Sequence, residues 1–183
     1  MNHPAEFTLL AGASAFGDGQ HPTTLGMLTA LGAIDPHAFT PRVALDVGAG
    51  SGILSFVIAR QFGCPVVATD ISAQAIETLI KNAQANGFER HITALQADGF
   101  AHPAIAQGAP YDLITMNILA EPLLRLAHDT AAALAPGGVL LLSGMLSWQE
   151  PQIRDAYQSL GLELATRLAV GDWVTLAFSK PAL

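Results

Sequence analysis

The sequence predicts an α/β protein built on a doubly wound, mainly parallel sheet with a reversed strand near one edge. Three observations carry that expectation. From Val43 onward, short apolar runs alternate with helical patterns, the mark of successive βα units. A glycine-rich turn, Gly48-Ala49-Gly50-Ser51-Gly52, separates the first such run from the first such helix. At the C-terminus the alternation stops, and two strand-like runs follow each other with no room for a crossover helix.

Taken in order, residues 1–41 read as a lead-in and 42–183 as the core of one domain, a size that suits 183 residues. Residues 1–22 are strand-poor and end in the loop Phe16-Gly17-Asp18-Gly19-Gln20-His21-Pro22. A short helix is expected from Pro22 to about Leu31, with proline in its first turn. Asp35-Pro36 and Thr40-Pro41 break the chain before the core. Strands are expected at Val43–Val47, Val66–Thr69, Ile92–Ala97, Leu113–Met116 and Val139–Leu142, apolar enough for a sheet covered on both faces. Between them, helices are expected near Ile53–Phe62, Ala73–Asn86, Pro122–Ala135 and Gln149–Leu160. Ser72 is placed to cap the second of these, and Gly87 and Gly161 to terminate helices. Leu162–Ala169 and Trp173–Phe178, joined by Val170-Gly171-Asp172, should pair antiparallel.

Composition narrows the functional classes. Half of the residues (51%) are hydrophobic and 13% are charged, enough to bury a full core. No run of about 18 apolar residues lacks breaks, so no membrane span is expected. The opening Met1–Glu6 lacks the basic and then apolar run of a signal peptide, which points to the cytoplasm. The single cysteine, Cys64, excludes an internal disulfide and reads as a buried, inert thiol; no Cys/His spacing suggests a metal. Eight Lys+Arg against fifteen Asp+Glu give a net charge of -7, with the cations scattered singly. That argues against a nucleic-acid partner and suits a basic protein acceptor. Trp148 and Trp173 read as packing residues.

Chemistry concentrates in the run Leu45-Asp46-Val47-Gly48-Ala49-Gly50-Ser51-Gly52. In a doubly wound sheet this turn lies beside the point where strand order reverses, where ligands bind. Its spacing is G-x-G-x-G, and Ile53 stands where a dinucleotide fingerprint would need glycine or alanine. S-adenosyl-L-methionine has no pyrophosphate to seat on a helix N-terminus, so the spacing favours it over NAD. Asp70, twenty-two residues past Gly48, ends the second strand, where a carboxylate can accept both ribose hydroxyls or cap the next helix. Asp98, after the third strand, is placed either to receive the adenine amino group or to be a solvated turn residue. Asn117, at the end of the fourth, can hold an acceptor amine by its protons, or cap the following helix.

These residues resemble the PrmA-like methyltransferases, which trimethylate a large-subunit ribosomal protein. The likeness runs from Ala15 almost to the C-terminus. It includes Phe16-Gly17-x-Gly19-x-His21-Pro22-Thr23-Thr24, the Asp46–Leu54 loop, Thr69-Asp70-Ile71, Asn82-Ala83, Asn117-Ile118-Leu119-Ala120-x-Pro122-Leu123, Pro136-Gly137-Gly138 and Ser143-Gly144-Met145-Leu146. The resemblance implies a Rossmann-like class I methyltransferase with a seven-stranded sheet and an antiparallel C-terminal strand. It implies S-adenosyl-L-methionine held by Phe16, Thr24, Asp46, Gly48, Gly50, Asp70, Ile71, Asp98 and Asn117, with the Phe16–Thr24 loop over its methionine end. It implies methylation of a protein nitrogen, on a lysine or an N-terminal amine, with Asn117 positioning the acceptor. Two departures stand out. The family's loop reads Gly-Thr-Gly-Thr before His-Pro, where this chain has Gly17-Asp18-Gly19-Gln20 and so an added negative charge. The family also carries an N-terminal substrate-recognition domain, for which 183 residues leave no room, so a partner or a different acceptor is expected. The competing expectations are a small-molecule or nucleic-acid N-methyltransferase, a non-catalytic cofactor-binding subunit, and an NAD(P)-dependent oxidoreductase.

Overall fold

The computed structural model describes residues 7–9 and 20–182. In chain order they form α1 (Pro22–Gly32), β1 (Ala44–Val47), α2 (Ile53–Phe62), β2 (Val66–Asp70), α3 (Ala73–Ala85), β3 (Ile92–Gln96), α4 (Pro103–Gly108), β4 (Tyr111–Asn117), α5 (Ala120–Arg125), α6 (Ala127–Ala133), β5 (Leu134–Leu146), α7 (Glu150–Ser159), β6 (Glu163–Val170) and β7 (Trp173–Ser179). One seven-stranded sheet results, in the order β3-β2-β1-β4-β5-β7-β6. The first five strands pair parallel, and β7 lies antiparallel to both β5 and β6. Strand order reverses between β1 and β4, so a crevice opens beyond the C-terminal ends of those strands.

Period-two alternation decides which side chains meet which helices. Leu45, Val47, Ile114, Met116, Leu140 and Leu142 point into a core shared with α4, α5, α6 and α7. Ala44, Leu113 and Leu141 point the other way, into a core shared with α1 and α2. α1, expected to belong to a lead-in, is a full member of that second layer: its Met27 and Leu31 are wholly buried against the sheet. Local chemistry sets the helix ends. Pro22 opens α1 while the ring of His21 accepts from the Thr23 N–H. The Ser72 hydroxyl accepts from the Ala75 N–H to cap α3.

The structure differs from the sequence reading at four places. The helix expected over Pro122–Ala135 is two helices that break at Leu126, and its last residues are strand. Leu134 pairs with Tyr111, and β5 runs thirteen residues from there, well beyond the expected Val139–Leu142. Helix propensity favoured a helix at Leu134 and Ala135, and the parallel ladder with β4 overrides it. α4 was not anticipated, because six residues are too few to show a helical period. Trp148, read as a packing residue, stands 74% exposed in the turn before α7. Trp173 does pack, edge-on against the His21 ring with centroids 5.0 Å apart.

Candidate cofactor and acceptor site

The glycine turn is fastened to the end of β2. The N–H groups of Gly48 and Ala49 both donate to the Thr69 carbonyl, at 2.8 and 2.9 Å. The Gly50 N–H donates to Asp70 Oδ2 at 3.0 Å, and the Ser72 N–H donates to Asp70 Oδ1 at 2.9 Å. Asp70 is thus pinned by two backbone donors while half-buried at the crevice, and each oxygen keeps a lone pair for a ligand. Gly48 has φ +73°, and a Cβ there would run into the Ile118 side chain. Gly50 has φ +56° with open space where a Cβ would stand, so its backbone faces the crevice. From the α3 side, the wholly buried Asn82 donates its amide to the Ser51 carbonyl at 2.9 Å. That clamp was not found from residue chemistry alone, since an asparagine mid-helix carries no signal of its partner.

Asp46 lies beneath the turn and is 1% exposed. Ser55 donates its hydroxyl to Oδ2 at 2.6 Å and Thr115 donates to Oδ1 at 2.8 Å. Alternation along β1 and β4 turns Asp46 and Thr115 toward α2, where Ser55 meets them. Burial pushes the Asp46 carboxyl up to about 6, although both hydroxyls act to lower it, and the nearby charge of Asp70 adds to the rise. Both oxygens being engaged by the fold, Asp46 shapes the turn from below. Sequence reasoning missed Ser55 and Thr115, because their meeting depends on helix-to-sheet docking.

The other half of the site lies over β4, β5 and β7. Asn117 ends β4 opposite Ser143, and its amide nitrogen donates to the Thr24 hydroxyl of α1 at a long 3.5 Å. Thr24 is 1% exposed. Behind it, Thr175 donates to Ser143 and Ser143 donates to the Val174 carbonyl, each at 3.0 Å. Gly144, with φ +93°, lets β5 approach the Ile118 backbone, where any Cβ would collide. Asp98 is exposed and takes a 2.8 Å hydrogen bond from Arg125 of α5. Ile71 is 66% exposed beside Asp70. Phe16 and Asp18 lie outside the described residues, as does most of the loop before His21. Cys64 is buried away from this edge, and burial raises its thiol to about 11, as an inert thiol requires. Among the described residues, no three His, Cys, Asp or Glu side chains come together in a metal-binding group. No described helix is long and apolar enough to cross a membrane.

The orphaned Ser51 hydroxyl, buried in the turn with no partner among the described residues, and the open space over Gly50 fit a polar adenosyl ligand here. This strand order, with a glycine turn after β1 and a carboxylate ending β2, is the architecture of class I methyltransferases. Comparison with known proteins takes the assignment further: the chain belongs to the ribosomal protein L11 methyltransferase (PrmA) family, whose family model matches residues 7–181. A ribosomal protein L11 methyltransferase of Chelativorans sp. (strain BNC1) is 43% identical over 166 residues, covering 91% of this chain and 57% of the relative. The chain therefore spans a little over half the length of the curated relatives it matches. The crystal structure of a ribosomal protein L11 methylase from Lactobacillus delbrueckii subsp. bulgaricus superimposes with a TM-score of 0.76 at 31% identity, covering 87% of this chain and 78% of that one. An RNA methyltransferase from Salinibacter ruber, solved with S-adenosyl-L-homocysteine, shares the fold at a TM-score of 0.62 and 18% identity, over 85% of this chain and 88% of that one.

Proposed function

We propose that the chain binds S-adenosyl-L-methionine and transfers its methyl group to an amine of a protein, with ribosomal protein L11 as the first acceptor to test. The observation that carries this reading is the shared edge: Asp70, hydrogen-bonded to the Gly50 N–H, ends β2, and Asn117, bonded to Thr24, ends β4, on the same edge of the parallel sheet. Family membership and the names of the relatives support it.

When bound, the cofactor supplies a methyl group on an activated sulfonium. The chain's residues bind, orient and exclude water. Asp70 accepts from the ribose hydroxyls, and the exposed Ile71 covers one face of the adenine. Asp98 receives the adenine amino group. Gly48 and Gly50 bring bare backbone close to the ligand, over a turn that Asp46 and Asn82 hold from beneath. Thr24, and Phe16 in the preceding loop, attend the methionine end. The Thr24 bond engages the Asn117 amide nitrogen and leaves the amide oxygen to accept from the acceptor amine, directing its lone pair into the crevice. A lysine acceptor must arrive unprotonated, and withdrawal from water lowers an ammonium's pKa in that direction. Orientation of this kind is worth roughly 7–11 kcal/mol of barrier when the reacting atoms are well aligned.

The test has two steps. Calorimetric titration should show S-adenosyl-L-methionine and S-adenosylhomocysteine binding and NADH not binding. Radiolabelled cofactor with purified L11 should then place label in protein, and Asn117→Ala should lose transfer while keeping cofactor affinity. Binding of NADH in place of the two sulfur ligands overturns the cofactor assignment. Label appearing only in RNA or in small molecules overturns the acceptor assignment.

A further inference from the structure

Three of the five exposed large apolar side chains among the described residues follow the C-terminal ends of parallel strands: Ile71 after β2 at 66%, Leu119 after β4 at 61% and Trp148 after β5 at 74%. Single exposed apolar residues are ordinary, but their alignment beside a ligand crevice marks an interaction surface. Ile71, next to Asp70, belongs to the adenosyl half. Leu119 and Trp148 stand past the ends of β4 and β5, over the half from which an acceptor approaches.

One exposed acid stands on a segment bonded to the turn that carries Trp148. The Ser147 N–H donates to the Asp172 carbonyl at 2.8 Å, tying the turn that carries Trp148 to the exposed Asp172 between β6 and β7. Leu119 leads into α5, whose first turn carries the exposed Glu121. Of the cations nearest these segments, Arg125 pairs with Asp98 at 2.8 Å, and Arg167 and Arg154 pair with the buried Glu150 at 2.8 and 3.9 Å, while Asp172 and Glu121 stand exposed. An indole face attracts an ammonium through its ring quadrupole, and neighbouring carboxylates steer cations toward it. Methylation leaves that attraction in place, because it depends on charge rather than on N–H donors.

Resting on the protein-amine reading above, we propose that Trp148 is the docking platform for a lysine-rich segment of the acceptor protein, with Asp172 and Glu121 supplying the counter-charge. Trp148 follows β5, two strands across the sheet from the glycine turn after β1, so its role is assigned to acceptor recognition. The experiment titrates wild type, Trp148→Ala, Trp148→Phe and Asp172→Asn with decalysine, using decaglutamate as control, in the presence and absence of S-adenosylhomocysteine. At about 0.1 M salt, where surface charges still interact within a Debye length, Trp148→Ala should weaken decalysine binding about fivefold. Trp148→Phe should retain most of it, and Asp172→Asn should weaken it with a shallower salt dependence. All three should bind S-adenosylhomocysteine within about twofold of wild type. Loss of S-adenosylhomocysteine binding by wild type would sink the methyltransferase reading. The platform alone is overturned if wild type ignores decalysine, or if Trp148→Ala holds it as tightly as wild type.

Discussion

At the residue scale, the site rests on groups that a sequence shows singly and only a fold brings together. Asp46 was legible as part of the glycine motif, but its two hydroxyl partners come from α2 and β4, nine and sixty-nine residues away. The effect of burying Asp46 is measurable through pH. The folded carboxyl sits at about 6, above its value of roughly 3.9 in an unfolded chain, so the native state holds the proton more tightly. Its contribution to stability is therefore fully present below about pH 4 and is lost as pH rises through about 6. Two units correspond to on the order of 3 kcal/mol. Asp46→Asn keeps one hydroxyl accepted and offers its amide to the other, so it should flatten this slope and gain stability at pH 7. Urea unfolding midpoints from pH 4 to 7.5 test it, and an Asn variant with the wild-type slope refutes the assignment. The glycines give a paired prediction. Alanine at either Gly48 or Gly50 meets the left-handed penalty of roughly 1–2 kcal/mol. At Gly48 the new methyl also displaces Ile118, next to Asn117, whereas at Gly50 it meets no protein atom. Gly48→Ala should be the less stable by denaturation, while Gly50→Ala should weaken cofactor binding at least tenfold because its methyl enters the ligand's space. Equal stability of the two variants would count against the Ile118 contact.

At the scale of elements, most strands and the C-terminal antiparallel pair were legible because apolar period and turn chemistry agree there. Errors came where tertiary contact overruled local preference, at Leu134 and Ala135, or where the element was too short to have a period, as in Pro103–Gly108. The placement of the candidate site residues was legible for the same reason: Gly48, Asp70 and Asn117 sit at strand ends, which sequence can locate. How α1 reaches the sheet was not legible. Gly26 lies against Thr175, and a Cβ there would overlap the threonine hydroxyl that donates to Ser143. The other end of α1 is held by Gln61, whose side-chain amide donates to the Leu31 and Ile34 carbonyls at 2.8 and 3.0 Å. Gly26→Ala should therefore lift α1 near Thr24, lengthen the Thr24–Asn117 contact and lower methyl transfer more than cofactor affinity, at about 1–3 kcal/mol in stability. Adding Thr175→Ser, which removes a methyl but keeps the hydroxyl, should restore little. Adding Thr175→Ala, which removes the clashing oxygen, should restore most. Kinetics and denaturation on the two double variants separate overlap with the oxygen from a general effect on the helix.

At the scale of the whole molecule, the crevice joins elements from both halves of the sheet, so a ligand bound there should stabilise the fold as a unit. The glycine turn follows β1, Asp70 ends β2, Asn117 ends β4, and Thr24 reaches over from α1. A ligand that binds only this assembled edge adds RT ln(1 + [L]/Kd) to stability, about 2.7 kcal/mol at a hundredfold excess over Kd. For a chain of this length each kcal/mol raises Tm by about 2–4 °C, so saturating S-adenosylhomocysteine should raise it by roughly 5–11 °C. Asp70→Ala removes the proposed ribose acceptor together with the anchor for the Gly50 and Ser72 N–H groups, and should lose most of that shift. Trp148→Ala leaves the cofactor edge intact and should keep it. NADH at the same concentration should leave Tm unchanged, because Ile53 stands where a pyrophosphate turn needs glycine or alanine. Thermal scans of the three proteins with both ligands decide the matter. If Asp70→Ala keeps the full shift, then the adenosyl group does not sit where the glycine turn meets β2.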